Sequence, residues 1–406
     1  MSESILEDRR IMLGVTGSIA AYKAVDLASK LTQGGARVDV ILTDAAQQFV
    51  APLSFQSVTG ERAYTDEDLW GGEAHVIHVG LAQEADLFLI APITANTIAK
   101  LAHGHANSLL TVTALAIGCP LVIAPAMDAG MFEHPATQAN LAILKERGVW
   151  VVGPVKGRMA SGLIGMGRMV EPEDLVGHVR RILGREGALA GRRVVVTAGG
   201  TQEPVDPVRV LANRSSGKQG FALAQAALDR GAEVILISAP THLTTPVGAE
   251  RIDVTTAAGM LDAVMKATET ADVLLMAAAV ADFRPIRTAD EKLKRRKGVP
   301  EVDLEPTEDI LAAVAARRKK AKRPELIVGF AAESEDLLNN ARAKLEEKGL
   351  SLIVANDITA SDAGFAVDTN RVTILDADGG AEELPLMRKT DVAEQVLRRV
   401  VDLLND

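Results

Sequence analysis

The feature that most constrains this chain is a series of short apolar runs alternating with helical patterns. Ile11–Val15, Val38–Leu42, Leu87–Ala91 and Leu121–Ala124 are rich in Val, Ile and Leu. Runs of this length and composition suit strands covered on both faces of a parallel sheet. Stretches of helical length separate them, such as Ala20–Gln33, which ends at Gly34-Gly35. Strand, helix, strand in this order implies right-handed crossovers. The pattern then restarts after a polar, glycine-bearing break over Gly184–Arg193. Val194–Val196, Val234–Ile237, Val273–Met276, Leu326–Val328 and Leu352–Val354 read as new strands, with a helix over Phe221–Arg230. The expected fold class is therefore α/β, with two doubly wound, Rossmann-like parallel-sheet domains over residues 1–190 and 191–406. Arg284–Pro306 is charged and irregular, and is expected to be a mobile loop.

Composition narrows the function. A chain of 406 residues is too long for one ordinary core. Its net charge of -10 argues against a general nucleic-acid binder. Cys119 is the only cysteine, so neither an internal disulfide nor a cysteine-based zinc cluster can form. Cys119 itself sits in an apolar run and reads as a core residue. The first ten residues lack an apolar signal core. Leu109–Met127 is nearly all apolar, but Gly118, Pro120 and Pro125 interrupt it. It reads as a buried helix, a turn and a buried strand rather than a membrane span. The expectation is a cytoplasmic protein with small-molecule partners, no nucleic acid and no membrane.

In an open parallel sheet, ligands sit beyond the carboxyl ends of the strands. The loops there carry suggestive residues. Gly14-Val-Thr-Gly17-Ser18-Ile19-Ala20 joins the first strand to its helix. Small residues at this place let backbone N–H groups and a helix N-terminus face a phosphate, or simply make a tight turn capped by Ser18. The pattern is not the GxGxxG dinucleotide fingerprint. Thr43 follows the second strand, Pro92-Ile-Thr94-Ala95-Asn96-Thr97 the next, and Pro125-Ala-Met127-Asp128 the last. His75 and His78 could move protons near neutrality.

Gly17-Ser-Ile-Ala-Ala-Tyr-Lys23, His78-Val-Gly-Leu81, the Pro92–Thr97 loop, Pro125-Ala-Met127 and Gly165-x-Gly-Arg-Met169 resemble the homo-oligomeric flavin-containing cysteine decarboxylases over about residues 10–180. The resemblance implies FMN, held by Gly17, Ser18, Ile19, Ala20, Thr43, Thr94, Ala95, Asn96, Thr97 and Met127, with His78 as the catalytic base. It implies oxidation of a cysteinyl thiol to a thioaldehyde, which accepts the electron pair left by the departing carboxylate. Two departures stand out. Asp128 replaces the family's usual asparagine after Pro-Ala-Met, where an amide grips the substrate carboxylate. Ala160-Ser161-Gly162 replaces the flap's Ala-Cys-Gly, whose thiol donates the final proton.

The second half has its own set. Thr197-Ala-Gly-Gly-Thr-Gln-Glu-Pro204 follows the new first strand, then Arg209, Asn213 and Ser215-Ser-Gly-Lys218. The Ser-Ser-Gly-Lys tract before a helix suits anion capture, or an ordinary cap with a solvated lysine. Ala277-Ala-Ala-Val-Ala-Asp282 lets a flat group approach a strand end, and the basic run from Lys292 to Lys297 suits a triphosphate. Phe330 could stack on a base. These motifs, in order over about 191–400, resemble phosphopantothenate–cysteine ligases, and with the first half the bifunctional decarboxylase–ligase enzymes of coenzyme A biosynthesis. The resemblance implies CTP as co-substrate and Mg²⁺. Met276, Ala277, Ala278, Asp282, Lys292, Glu308, Asp309, Ile310, Leu311, Phe330, Lys344 and Lys348 would bind the nucleotide. Arg209 and Asn213 would hold an acyl-cytidylate. Glu308 stands where the family has proline. The analogy also implies trimeric decarboxylase and dimeric ligase contacts, which together could give a dodecamer.

Other readings predict other residues. A regulatory FMN protein predicts loss of ligase residues, yet Asn213 and Lys292 are present. An NAD oxidoreductase predicts GxGxxG. A flavin enzyme with a single activity leaves 191–406 unexplained.

Overall fold

The computed structural model describes residues 4–70, 76–159, 162–294, 301–333, 337–357 and 367–405. His75, Ala160, Ser161 and the basic residues Arg295–Lys297 lie outside this set. Contacts divide the chain into two units that meet at Leu183 and Gly184.

The first unit has strands β1 (Arg10–Val15), β2 (Arg37–Leu42), β3 (Ala63–Tyr64), β4 (Leu87–Ile93), β5 (Leu121–Pro125) and β6 (Trp150–Val151). They form a parallel sheet in the order β3-β2-β1-β4-β5-β6. All seven residues of β4 are buried, as expected of a strand with helices on both faces. Leu109–Ala116 is a helix closed by a Ser108–Thr111 capping box, and a turn leads from it into β5. Among the described residues no helix is long and apolar enough to cross a membrane. A separate antiparallel hairpin, β7 (Val155–Arg158) with β8 (Ile164–Arg168), follows the sheet.

The second unit begins with β9 (Arg193–Ala198), then the hairpin β10 (Gln202–Pro204) and β11 (Val210–Ala212). β12 (Glu233–Ser238), β13 (Glu250–Asp253) and β14 (Val273–Met276) follow. β15 (Phe283–Pro285) pairs antiparallel with β16 (Leu304–Pro306). β17 (Leu326–Glu333), β18 (Leu352–Asp357), β19 (Thr369–Asp376) and β20 (Ala381–Arg388) complete the unit. The main sheet runs β13-β12-β9-β14-β17-β18-β19-β20.

Two expectations need correction. The second sheet is only mostly parallel, because β18–β19 and β19–β20 pair antiparallel. The sequence hid β19 and β20 because they are half exposed and lack a continuous apolar run. Second, the ends of the expected loop over Arg284–Pro306 are not irregular. They pair as β15 and β16, and an Arg284–Glu305 ion pair of 2.8 Å joins them.

Both main sheets reverse strand order beside their first strand, between β1 and β4 and between β9 and β14. The crevice at the carboxyl ends of such a pair is where open α/β sheets bind ligands.

Candidate active sites

In the first unit the turns at the reversal are tied by a residue the motif reading passed over. Buried Thr16 donates its hydroxyl to the Pro92 carbonyl (2.9 Å), and its oxygen accepts the Thr94 N–H (3.0 Å). The Gly17–Ala20 and Thr94–Thr97 loops therefore face one crevice as a unit. Gly17 is glycine for closeness: a Cβ there would lie 2.4 Å from the Ala45 Cβ. The helix Ala21–Gln33 has no side-chain cap on its first turn and no acidic residue there. That leaves donors and a positive dipole end for an anion. Thr43, Thr94 and Asp128 each cap the helix that follows. Asn96 is exposed, and Met127 is partly buried.

His78 lies in the first turn of the helix Ile77–Glu84. The far end of that helix pairs Glu84 with Arg10 at the amino end of β1. Its first turn is therefore the end farther from the amino end of β1. Asp128 accepts the Gly130 N–H at 3.1 Å. The hairpin touches the same loop, since Met127 N–H donates to Gly167 O at 3.0 Å. A Cβ at Gly167 would lie 2.2 Å from the Met127 carbonyl, so only glycine allows this approach. Beyond the hairpin, Glu171 joins Arg168 and the buried Lys23 (2.9 Å), which hold its carboxyl below the usual range. The crevice fits the phosphate end of a flavin nucleotide: small residues, an uncapped helix start and hydroxyl donors.

In the second unit a cleft of about 550 Å³ opens at the reversal point. Its walls include Asn213, Met276–Ala278, Asp282, Glu308–Leu311, Phe330, Lys344 and Lys348. These come from the ends of β11, β14 and β17, from the start of the helix Ile310–Ala321, and from the helix Leu337–Lys348. Ser215–Lys218 also line it, at the start of the helix Lys218–Leu228. Gly220 lets that helix sit on the sheet, since a Cβ there would lie 2.5 Å from the Ala198 Cβ.

The Ala277–Asp282 loop is held from three sides. Buried Thr197 accepts the Ala278 N–H (3.0 Å), and buried Thr201 accepts the Ala281 N–H (2.8 Å). Asn213 donates to the Val280 carbonyl (2.9 Å), and Thr307 to the Ala281 carbonyl (2.7 Å). Asp309 caps its helix and pairs with Lys348, and these hydrogen bonds, together with the charges of Lys348 and Lys344, outweigh burial and hold its carboxyl below the ordinary value. Burial alone would raise it, and is the largest single influence.

Arg209 and Lys292 are not among the residues of the cleft wall. Arg209 pairs with buried Asp206 (3.1 Å) and donates to Leu293 O (3.1 Å), and Asp206 also accepts the Leu293 N–H (3.1 Å). These bonds dock the Lys292 segment on the β10–β11 hairpin, with Lys292 exposed. The sequence reading missed Thr307, Asn356, Asn370 and Lys389, all of which line the cleft. Asn370 and Lys389 belong to the antiparallel part of the sheet and the helix behind it, which carry no motif.

Two α/β units, each with its candidate site at a strand-order reversal, define a two-domain enzyme with separate small-molecule sites. Residues 1–184 match the Flavoprotein family, and residues 189–404 match the DNA/pantothenate metabolism flavoprotein C-terminal domain. The coenzyme A biosynthesis bifunctional protein CoaBC of Bacillus subtilis is 44% identical over 402 residues, covering 98% of both chains. That of Vibrio cholerae is 44% identical over 398 residues, covering 97% of this chain and 98% of its own. A crystal structure of the C-terminal domain of a CoaBC protein is 39% identical, covers 54% of this chain and 99% of its own, and has a TM-score of 0.47. The chain belongs to the CoaBC family of bifunctional coenzyme A biosynthesis enzymes, which join a flavoprotein decarboxylase to a ligase.

Proposed function

We propose that the second unit joins 4'-phosphopantothenate to cysteine at the expense of CTP, and that the first decarboxylates the product to 4'-phosphopantetheine with FMN. The observation that carries this reading is the cleft at the β9–β14 reversal, where residues from four separate motifs share one wall.

In the ligase step a carboxylate oxygen attacks the α-phosphorus of CTP, and pyrophosphate leaves. The cysteine amine then attacks the acyl carbon, and CMP leaves with the electron pair. Phe330 offers a face for the base, Lys344 and Lys348 offer positive charge, and the fixed Ala277–Asp282 loop offers a flat floor. Asn213 is proposed to hold the acyl-cytidylate, with Arg209 and Lys292 brought to it from the neighbouring hairpin. Among the described residues no group of three or more His, Cys, Asp or Glu could hold a metal. Mg²⁺ is proposed to arrive on the nucleotide phosphates, with exposed Asp282 one of the carboxylates on the wall.

In the first unit Gly17, Ser18, Ile19 and Ala20 would hold the phosphate of FMN, with Thr43, Thr94, Ala95, Asn96, Thr97 and Met127 around the remainder. When bound, FMN would take two electrons from the cysteinyl thiol and return them once carbon dioxide has left, so that the product ends at the oxidation level of the substrate. His78 is proposed to move the proton at that thiol, and Asp128 to sit beside the substrate carboxylate. Exposed Ile19 (60%) and Tyr22 (64%) flank the Gly17 turn. Apolar exposure beside a site supports a flavin site shared between copies, as in a trimeric decarboxylase; dimeric ligase contacts are proposed from the family resemblance alone. The reaction is assigned to the cytoplasm.

The test is a one-pot assay read by mass spectrometry, with 4'-phosphopantothenate, cysteine, Mg²⁺ and CTP, and ATP in a parallel tube. The expected products are 4'-phosphopantetheine and CMP. Arrest at phosphopantothenoylcysteine would refute the decarboxylase assignment, and no product with either nucleotide would refute both.

A further inference from the structure

Asp206 has no part in the chemistry proposed for the second unit, yet it holds two residues that do. Its side chain is fully buried. It lies where the tip of the β10–β11 hairpin meets the segment that carries Lys292.

Its two oxygens have separate tasks. Oδ1 accepts the N–H groups of Val208 and Arg209, both at 2.8 Å, and so closes the hairpin turn on itself. Oδ2 accepts the Leu293 N–H and the Arg209 guanidinium, both at 3.1 Å, and so joins that turn to the next segment. These four donors match the roughly four lone-pair sites of a carboxylate. Asp206 therefore has nothing left for a metal ion, a substrate or a proton in transfer. What remains is the placing of its neighbours.

The neighbours are specific. The Arg209 guanidinium also donates to the Leu293 carbonyl (3.1 Å), so Leu293 is held through both its backbone groups. Lys292 is the residue before it. Thr288 donates its hydroxyl to the Pro204 carbonyl (3.0 Å), and Ala289 its N–H to the Val205 carbonyl (3.1 Å), so the contact runs along the segment. The chain on either side returns to the cleft. β15 starts next to Asp282, and β16 leads to Thr307 and Glu308, all three on the cleft wall. Tied only at those two ends, the segment would let Lys292 sample many positions. A group that must be ordered at the moment of reaction loses rate.

We infer that Asp206 is a positioning residue of the ligase. It fixes Arg209 and Lys292 to one body, so that the two cations meet the nucleotide and the acyl-cytidylate in a set geometry. The inference rests on the roles proposed for Arg209 and Lys292.

The test has two arms, both on full-length protein. Asp206→Asn keeps an oxygen for the hairpin turn, as asparagine does in turns of this kind. It puts an amide donor where Leu293 and Arg209 also donate, so the segment is released at almost constant volume. The first arm is limited trypsin digestion followed by mass spectrometry, which needs no activity. Initial cleavage after Lys292 and Lys294, both exposed, should be about tenfold faster or more in the variant, the effect of a lost charged hydrogen bond on the docked population. Cleavage elsewhere in the second unit should keep the parent rate. The second arm is single-turnover pyrophosphate release from CTP and 4'-phosphopantothenate. At saturating CTP its rate should fall about tenfold or more in Asp206→Asn. In a Lys292→Met background the same substitution should change it by less than about twofold, because a residue that acts through another adds nothing once the other is gone. Thr288→Val, at an exposed position, removes one bond from the same contact. It should move both readouts the same way by a smaller factor, and it serves if Asp206→Asn fails to fold. Parent-like cleavage in the folded variants overturns the inference. So do independent losses from Asp206→Asn and Lys292→Met that multiply in the double variant, the mark of a merely structural role. No pyrophosphate release from the parent protein would refute the ligase reading itself, and with it the positioning role but not the docking, which the digestion reads.

Discussion

Replacing Thr201 with valine removes one acceptor from the floor of the ligase cleft at almost constant volume. Thr201 is fully buried, and its hydroxyl accepts the N–H of Ala281, itself 3% exposed. In Thr201→Val that N–H is left unpaired away from water, which costs about 1–3 kcal/mol. For a unit of this size each kcal/mol lowers Tm by about 2–4 °C, so the expected fall is about 2–12 °C. The loss should appear in the transition of the second unit alone, since the partners both lie in it. Thr201→Ser keeps the acceptor and loses a methyl, about 1 kcal/mol. Scanning calorimetry and nucleotide KM together separate the two. Valine should also raise the CTP KM, because Ala281 anchors the loop that floors the site, and serine should not. Equal effects of valine and serine on both measures would refute the argument that this hydrogen bond positions the loop.

Gly17→Ala places a Cβ 2.4 Å from Ala45, so the turn must shift; purified variant should carry less flavin by absorbance, with the ligase activity kept. Asp128→Asn restores an uncharged partner for the substrate carboxylate and should alter the decarboxylase pH profile; an unchanged profile would exclude Asp128 from the substrate contact. The Glu171 carboxyl is held down chiefly by Lys23, so its contribution is full above the unfolded carboxylate pKa and is lost as pH falls through the lower folded value. Lys23→Met should therefore flatten the acid-side loss of stability of the first unit, by less than about 1 kcal/mol because Glu171 is partly exposed. Phe330→Ala should raise the CTP KM with less effect on the cysteine KM, read from initial rates.

The sequence by itself determined the parts whose signal is local. Continuous apolar runs gave β1, β2, β4, β5, β9, β12, β14, β17 and β18, because strands buried on two faces need such runs. Small residues at strand ends marked the loops that meet at both reversals, because close backbone approach excludes larger side chains. Only the tertiary structure decided the rest. β19 and β20 are half exposed, so no run betrays them, yet their antiparallel return brings Asn370 and Lys389 to the cleft. Thr16, Thr197 and Thr201 look like any strand-end threonine until the neighbouring strand supplies the N–H each accepts. Arg209 and Lys292 show the converse. Their motifs are local, but a buried carboxylate at Asp206 draws their segments onto a hairpin rather than onto the cleft wall. A motif specifies which groups are available, and pairing across distant strands specifies where they point.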